Sequence, residues 1–153
     1  MGMDVFGRKP TAPEGEYFRR NVWRWRPLAQ LCEDVAPTIT AACEHWHSND
    51  GDGLDAGGAA KLAERLQQLF VDGSVAAYVK YRDAALARLP DETCLSCDGT
   101  GTSRGAAGSD TPACRRCGGN GKQEHFARHY HLDEDDVKEW IVFLLASGGF
   151  EIY

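Results

Sequence analysis

A chain of 153 residues, 42% hydrophobic and 26% charged, suits one compact domain with a core of its own and room for a small insert. Its net charge of −6 argues against a general affinity for nucleic acid, whose phosphates need compensating cations. No run of about 18 apolar residues is present, the first residues hold no stretch of secretory length, and Phe6 stands where a myristoylation signal wants Ser or Thr; a cytoplasmic protein with no membrane partner is expected.

Residues 1–16 carry Pro10, Pro13 and three glycines without periodicity and read as an irregular arm. From Asn21 to Arg26 the chain alternates, which predicts an extended segment with Trp23 and Trp25 on one face and Arg24 and Arg26 on the other. Pro27 suits the first turn of a helix in which Leu28, Leu31, Cys32 and Val35 fall at helical spacing. Pro37 ends or kinks it, and Ile39, Ala42, Cys43 and Trp46 suggest another short helix. A turn-rich loop, His47–Gly58, holds Asp55 as the expected N-cap of a third helix, with Ala59, Leu62, Leu66, Leu69 and Phe70 on its apolar face. Asp72-Gly73 closes that helix, and Ser74 is the expected cap of a fourth, with Val75, Tyr78, Val79, Leu86 and Leu89 on one face.

Residues 91–121 form a cysteine-rich segment whose small, polar Gly105–Ser109 reads as a flexible tip. The following residues to Tyr130 read as a short strand or an irregular return. Asp133 then caps the clearest helix, with Leu132 placed as a hydrophobic staple and Glu134, Asp135 and Asp136 favouring the positive end of its dipole. Val137, Trp140, Ile141, Leu144 and Leu145 face inward, and Val142 and Phe143 lie elsewhere on the same turns. Such an all-round apolar helix predicts central burial or an interface, a dimer among them. Phe150–Tyr153 reads as extended. The expected fold is mainly α, a small helical domain of about five helices (residues 1–93 and 122–153) with an inserted zinc-binding β-hairpin or ribbon at 94–121.

Cys94-x2-Cys97-x16-Cys114-x2-Cys117 has the spacing of a four-cysteine zinc site. Two residues between cysteines let a tight turn aim both thiolates at one ion, and two such knuckles complete a tetrahedron. Arg115, Arg116 and Lys122 offset the net negative charge of a zinc–thiolate centre. Four thiolates leave no open position for water, so a catalytic zinc is not expected. Redox use of CxxC usually accompanies a βαβ pattern, which is not visible here. One structural zinc ion is expected, with a binding free energy on the order of 10–16 kcal/mol, comparable to the stability of a whole domain.

The stretches CLSCDGTG (Cys94–Gly101) and CRRCGGNG (Cys114–Gly121) resemble the CxxCxGxG repeat of the DnaJ-type co-chaperone cysteine-rich zinc domain. That family carries four repeats binding two zinc ions, so two repeats imply one. The likeness covers residues 94–121, and the family's His-Pro-Asp signature is absent. It therefore implies four cysteine ligands on a glycine-shaped hairpin, and no stimulation of a partner chaperone. The opening MGMDVFGRKP…EYFRRNVWRWRP and the closing FLLASGGFEIY resemble the ends of small proteins of bacteria and their phages, which implies no assigned chemistry.

Other groupings are less specific. Cys43, His45 and His47 suggest a second metal site or a Cys–His pair, whereas a buried free cysteine beside surface histidines is commoner. Setting Gly53 at the glycine of an EF-hand loop puts Ser48, Asp50 and Asp52 at ligand positions but Ala59 at the twelfth, which argues against calcium. His125, His129 and His131 complete no zinc site by spacing. Arg19, Arg20, Arg24 and Arg26 interleave with indoles, a combination that can neutralise phosphates and stack bases.

These features predict a non-enzymatic zinc-stabilised protein-binding module acting on a protein complex, either an adaptor or a phage-derived, anti-CRISPR-like inhibitor of a host defence complex. Its expected contact residues are Arg115 and Arg116 on the zinc hairpin, or Asp133, Glu134, Asp135 and Asp136. The alternatives are a nucleic-acid-binding zinc protein using Arg19, Arg20, Arg24 and Arg26, and a metal-dependent enzyme centred on His45, His47 and Asp50.

Overall fold

The computed structural model describes residues 2–103 and 112–153, so the expected tip at 105–109 lies outside the described residues. The chain divides into two compact units, Met1–Arg82 with Tyr130–Tyr153, and Asp83–His129.

The first unit corrects the expected fold class. The residues read as an irregular arm contain strand β1 (Gly2–Gly7), which pairs antiparallel with β2 (Tyr17–Asn21) on one side and with β5 (Phe150–Ile152) on the other. The fold is therefore a mixture of helices and small antiparallel sheets and is not mainly α. The strand escapes a pattern reading because only Met3 and Val5 point inward between glycines and an aspartate. Its stability comes from non-local pairing, with Val5 opposite both Phe18 and Ile152.

Helix α1 (Val22–Val35) begins where an extended segment was expected. Asn21 decides this: its side chain accepts the Arg24 N–H at 3.1 Å, and the apolar residues that follow keep a helical period, with Trp25, Leu28, Ala29, Leu31 and Cys32 buried. Pro27 lies within this helix, not at its first position, and supplies no N–H to the Trp23 carbonyl. The His131 N–H takes that place, bonding to the Trp23 oxygen at 3.1 Å. The next helix, α2 (Pro37–Thr40), is a single turn.

Helix α3 (Ala56–Val71) starts at Asp55, which accepts the Gly58 N–H at 2.7 Å. Asp72, and not Ser74, accepts at the start of α4 (Ser74–Ala87), from the Ser74 N–H at 2.9 Å. Helix α5 (Glu134–Ser147) carries a full capping box between Asp133 and Asp136 and stops at Gly148 in the left-handed region.

Trp140 of α5 is the hub of the core. Its ring lies 4.9 Å from Phe18, 5.2 Å from both Phe143 and Phe150, and 5.5 Å edge-on to Trp25. The sheet supplies Phe18 and Phe150, α1 supplies Trp25, and α5 supplies Phe143, so one indole joins the sheet to α1 and α5. The Trp25 Nε1 donates to the Trp46 carbonyl at 2.6 Å and the Trp46 Nε1 to the Thr40 carbonyl at 3.2 Å, which pins the irregular stretch after α2 to the core.

The second unit contains the end of α4, the two-residue strands β3 (Glu92–Thr93) and β4 (Lys122–Gln123), and a 3-10 turn at Phe126–His129. Arg128 ties its ends together by donating to the carbonyls of Leu86 (3.2 Å) and Leu89 and to the Asp91 carboxylate at 3.0 Å.

Replacing the hub should be costly. Trp140→Ala is expected to lower unfolding stability in urea by roughly 3–5 kcal/mol, whereas Tyr81→Ala, at a side chain 78% exposed, should change it by less than about 0.5 kcal/mol.

Candidate metal centre

The four cysteines of the repeated motif meet. Their sulfurs all lie within 4.8 Å of one another, and among the described residues no other set of His, Cys, Asp or Glu gathers this way. Cys94 and Cys114 are separated by 3.9 Å between sulfurs, Cys97 and Cys117 by 3.8 Å. A tetrahedron with metal–sulfur bonds of about 2.3 Å has edges of about 3.8 Å, so the set fits one tetrahedral ion. Cys94, Cys97 and Cys114 are buried and Cys117 is partly exposed. These residues would hold the ion, and what it supplies there is cross-linking of two chain segments.

The repeat in sequence becomes a repeat in space, with an offset of 20 residues. The Cys94 N–H donates to the Gly121 carbonyl at 2.9 Å, and the Cys114 N–H to the Gly101 carbonyl at 2.8 Å. Thr93 pairs with Lys122 in the β3–β4 ladder, and Thr102 bridges Ala113. The Thr100 hydroxyl accepts the Thr102 N–H at 3.3 Å, and the Asn120 side chain accepts the Lys122 N–H at 2.9 Å. Each knuckle thus hydrogen-bonds the other through equivalent atoms, an approximate twofold arrangement that delivers two sulfurs from each side.

The second glycine of each repeat is required by this contact. A Cβ on Gly101 would sit 2.2 Å from the Gly119 carbonyl oxygen, and one on Gly121 would sit 2.3 Å from that of Gly99. Position 118 is different: it is left-handed but open, and its equivalent, Asp98, adopts φ 50 with a side chain.

In the thiol form, burial pushes Cys94 up to about 11, while at Cys117 the Gly119 and Gly121 N–H groups outweigh burial and bring it to about 7. The Cys97 sulfur accepts the Gly101 N–H at 3.3 Å. Ligation needs thiolates, so affinity falls as pH is lowered.

Arg115 and Arg116 lie exposed on the turn between the second pair of cysteines, and Leu95, 74% exposed, occupies the position equivalent to Arg115 on the first. The remaining charged candidates face one another. Arg20 donates to Asp136 at 2.8 Å and to Glu139, and lies 4.5 Å over the Phe18 ring; Arg24 bridges Asp133 and Asp136, each at 2.9 Å. Asp136 is 1% exposed, while Glu134 and Asp135 are exposed. Arg19 lies 3.5 Å from Asp4, and Arg26 reaches the Tyr130 hydroxyl at 3.4 Å. The early basic cluster and the late acidic cluster are thus largely one ion-pair network inside the first unit.

His45, His47 and Asp50 are all exposed on their loop. The loop is organised by Asp52, whose carboxylate accepts the N–H groups of Glu44 (2.7 Å), His45 (2.9 Å) and Gly53 (2.7 Å). His47 borders a cavity of about 290 Å³ with Trp25 and Arg26, and burial holds its imidazole below the ordinary range despite Glu33 at 3.8 Å. Burial pushes both Cys32 and Cys43 up to about 12, so neither is an activated nucleophile. His125 sits 3.3 Å from Glu92. Asp52, read from the sequence only as a position in a calcium-loop pattern, instead organises the turn, and Arg128, a single arginine with no periodic signal, ties the ends of the second unit.

No protein-family model, curated protein or solved structure matches this chain. No helix among the described residues is long and apolar enough to cross a membrane.

The glycine geometry yields a paired expectation. Gly101→Ala and Gly121→Ala should each weaken metal binding at least about tenfold in a chelator competition, because a carbonyl must move by more than half an ångström. Gly118→Asn should bind within about twofold of the parent, since Asn tolerates the left-handed region.

Proposed function

We propose that this chain is a non-enzymatic, zinc-stabilised protein-binding module. The closed set of four buried or part-buried sulfurs carries the reading. Zinc suits four thiolates in tetrahedral array, and four protein ligands fill its coordination shell, so the ion holds shape and offers no site to substrate. The knuckle turns then present Leu95, Arg115 and Arg116 to solvent as contact residues, a cationic tip with one apolar anchor on an acidic protein.

The narrower reading, an adaptor or a phage-derived inhibitor of a host defence complex, draws only on the resemblance of the chain's ends to small proteins of bacteria and their phages. Protein is preferred over nucleic acid as partner because Arg20 and Arg24 already neutralise Asp133, Asp136 and Glu139.

Elemental analysis of protein purified without added metal should give about one zinc per chain; a folded second unit without metal contradicts the proposal. Cys114→Ala should lose the zinc and retain most of the helical circular dichroism, because the helices of the first unit have their own core. Affinity capture from extracts of the source cells should retain a protein that the Leu95→Asp/Arg115→Glu/Arg116→Glu variant loses while keeping its zinc. Capture of nucleic acid instead, weakening steeply with salt, would favour the alternative.

A further inference from the structure

Helix α5 borders a groove beside α3. The groove has a volume of about 300 Å³ and its walls are Phe70 and Val71 of α3 and Ile141, Val142 and Leu145 of α5. Three of these are well exposed for their type: Val71 at 87%, Leu145 at 54% and Val142 at 44%. Contiguous apolar surface of this kind marks an interaction site.

The wall residues are spaced to receive a helix. On α5, Lys138, Ile141, Val142 and Leu145 fall at i, i+3, i+4 and i+7; on α3, Gln67, Phe70 and Val71 fall at i, i+3 and i+4. Two neighbouring ridges of this period form the hollow into which a third helix packs. The α5 row spans roughly 10 Å, about two turns of an occupant.

Charge selects the occupant. An adjoining depression of about 380 Å³ shares Lys138 and Val142 with the groove and is bordered by Glu14, Asp135 and Glu139. Glu139 also pairs with Arg20 and Lys138 adds one cation to the rim, but Glu14 and Asp135 form no ion pair among the described residues, which leaves the depression net acidic. A second copy of this chain would bring its own carboxylates and a net charge of −6 against them, and nucleic acid would be repelled likewise.

We propose that the α3–α5 groove docks an amphipathic helix of a partner protein, with apolar residues at i, i+3/i+4 and i+7 seated on Val71, Val142 and Leu145 and a basic flank toward Asp135 and Glu14. This rests on the reading of the chain as a binding protein and assigns that role a second surface, in the helical unit, that needs no metal.

The test uses the full zinc-loaded chain and two fluorescein-labelled amphipathic helices of about 16 residues, one built from Leu and Lys, the other from Leu and Glu. Fluorescence anisotropy should show saturable binding of the Leu/Lys helix and none of the Leu/Glu helix. Val71→Ser and Leu145→Ser should each weaken binding about tenfold, with an unchanged thermal unfolding curve. Asp135→Asn should weaken it about threefold and flatten its salt dependence.

Binding that ignores both serine variants would overturn the groove. So would a dimer in sedimentation equilibrium that Leu145→Ser dissolves, since a second copy would then be the occupant. Chelation of zinc should leave the peptide titration unchanged. Failure of the titration while knuckle-tip capture persists removes the groove alone, and loss of knuckle-tip capture with an intact titration removes the zinc-unit contact alone.

Discussion

Among the described residues, the second unit has no buried hydrophobic cluster beyond its own cysteines. The buried cluster there consists of Cys94, Cys97 and Cys114 with Cys117 packed against them. A segment this small buries too little apolar surface to offset the entropy of ordering it. Four sulfurs at tetrahedral spacing offer the alternative, a single ion whose binding free energy would replace a core. The hairpin follows from bringing those sulfurs together: two-residue strands suffice, and Gly101 and Gly121 let two backbones touch.

The duplicated motif explains how such a site is specified so economically. Two copies of one eight-residue pattern, related by an approximate twofold, deliver equivalent hydrogen bonds and equivalent ligands. Besides Asp98 against Gly118 and Thr100 against Asn120, the copies differ at the turn residues, Leu95 and Ser96 against Arg115 and Arg116. Ligation leaves those positions unconstrained, so they are where the two halves of a symmetric scaffold can diverge toward a partner. The first unit is specified differently, by the Trp140 hub and by Asp136, which caps its own helix while receiving two arginines from β2 and α1. Asp136 is buried, but Arg24, Asp133 and Glu139 reach solvent, so the network lies between a screened surface pair and a fully buried one.

What could be read in advance followed the range of the interaction. Ligand spacing, the Asp55 and Asp133 caps and the face of α3 are local signals, and they appear in the structure where the residues place them; on α5 the buried face takes Phe143, and Leu145, expected inward, is 54% exposed. The sheet was hidden because β1 finds its partners at Phe18 and Ile152, at opposite ends of the chain. Alternating tryptophan and arginine at 23–26 mimicked a strand, and the Asn21 cap overrode the pattern. The two charged clusters looked like separate binding faces because sequence distance concealed that they neutralise each other. No family relationship supplied what the pattern withheld, so function rests on the chemistry of two surfaces.

Amide hydrogen exchange with and without a zinc chelator tests the central claim most directly. The Cys94 and Cys114 amides bond to the Gly121 and Gly101 carbonyls across the metal set. The account predicts that chelation abolishes protection at these two amides while α3 and α5 keep theirs. Protection at Cys94 and Cys114 that survives complete removal of the metal would contradict it.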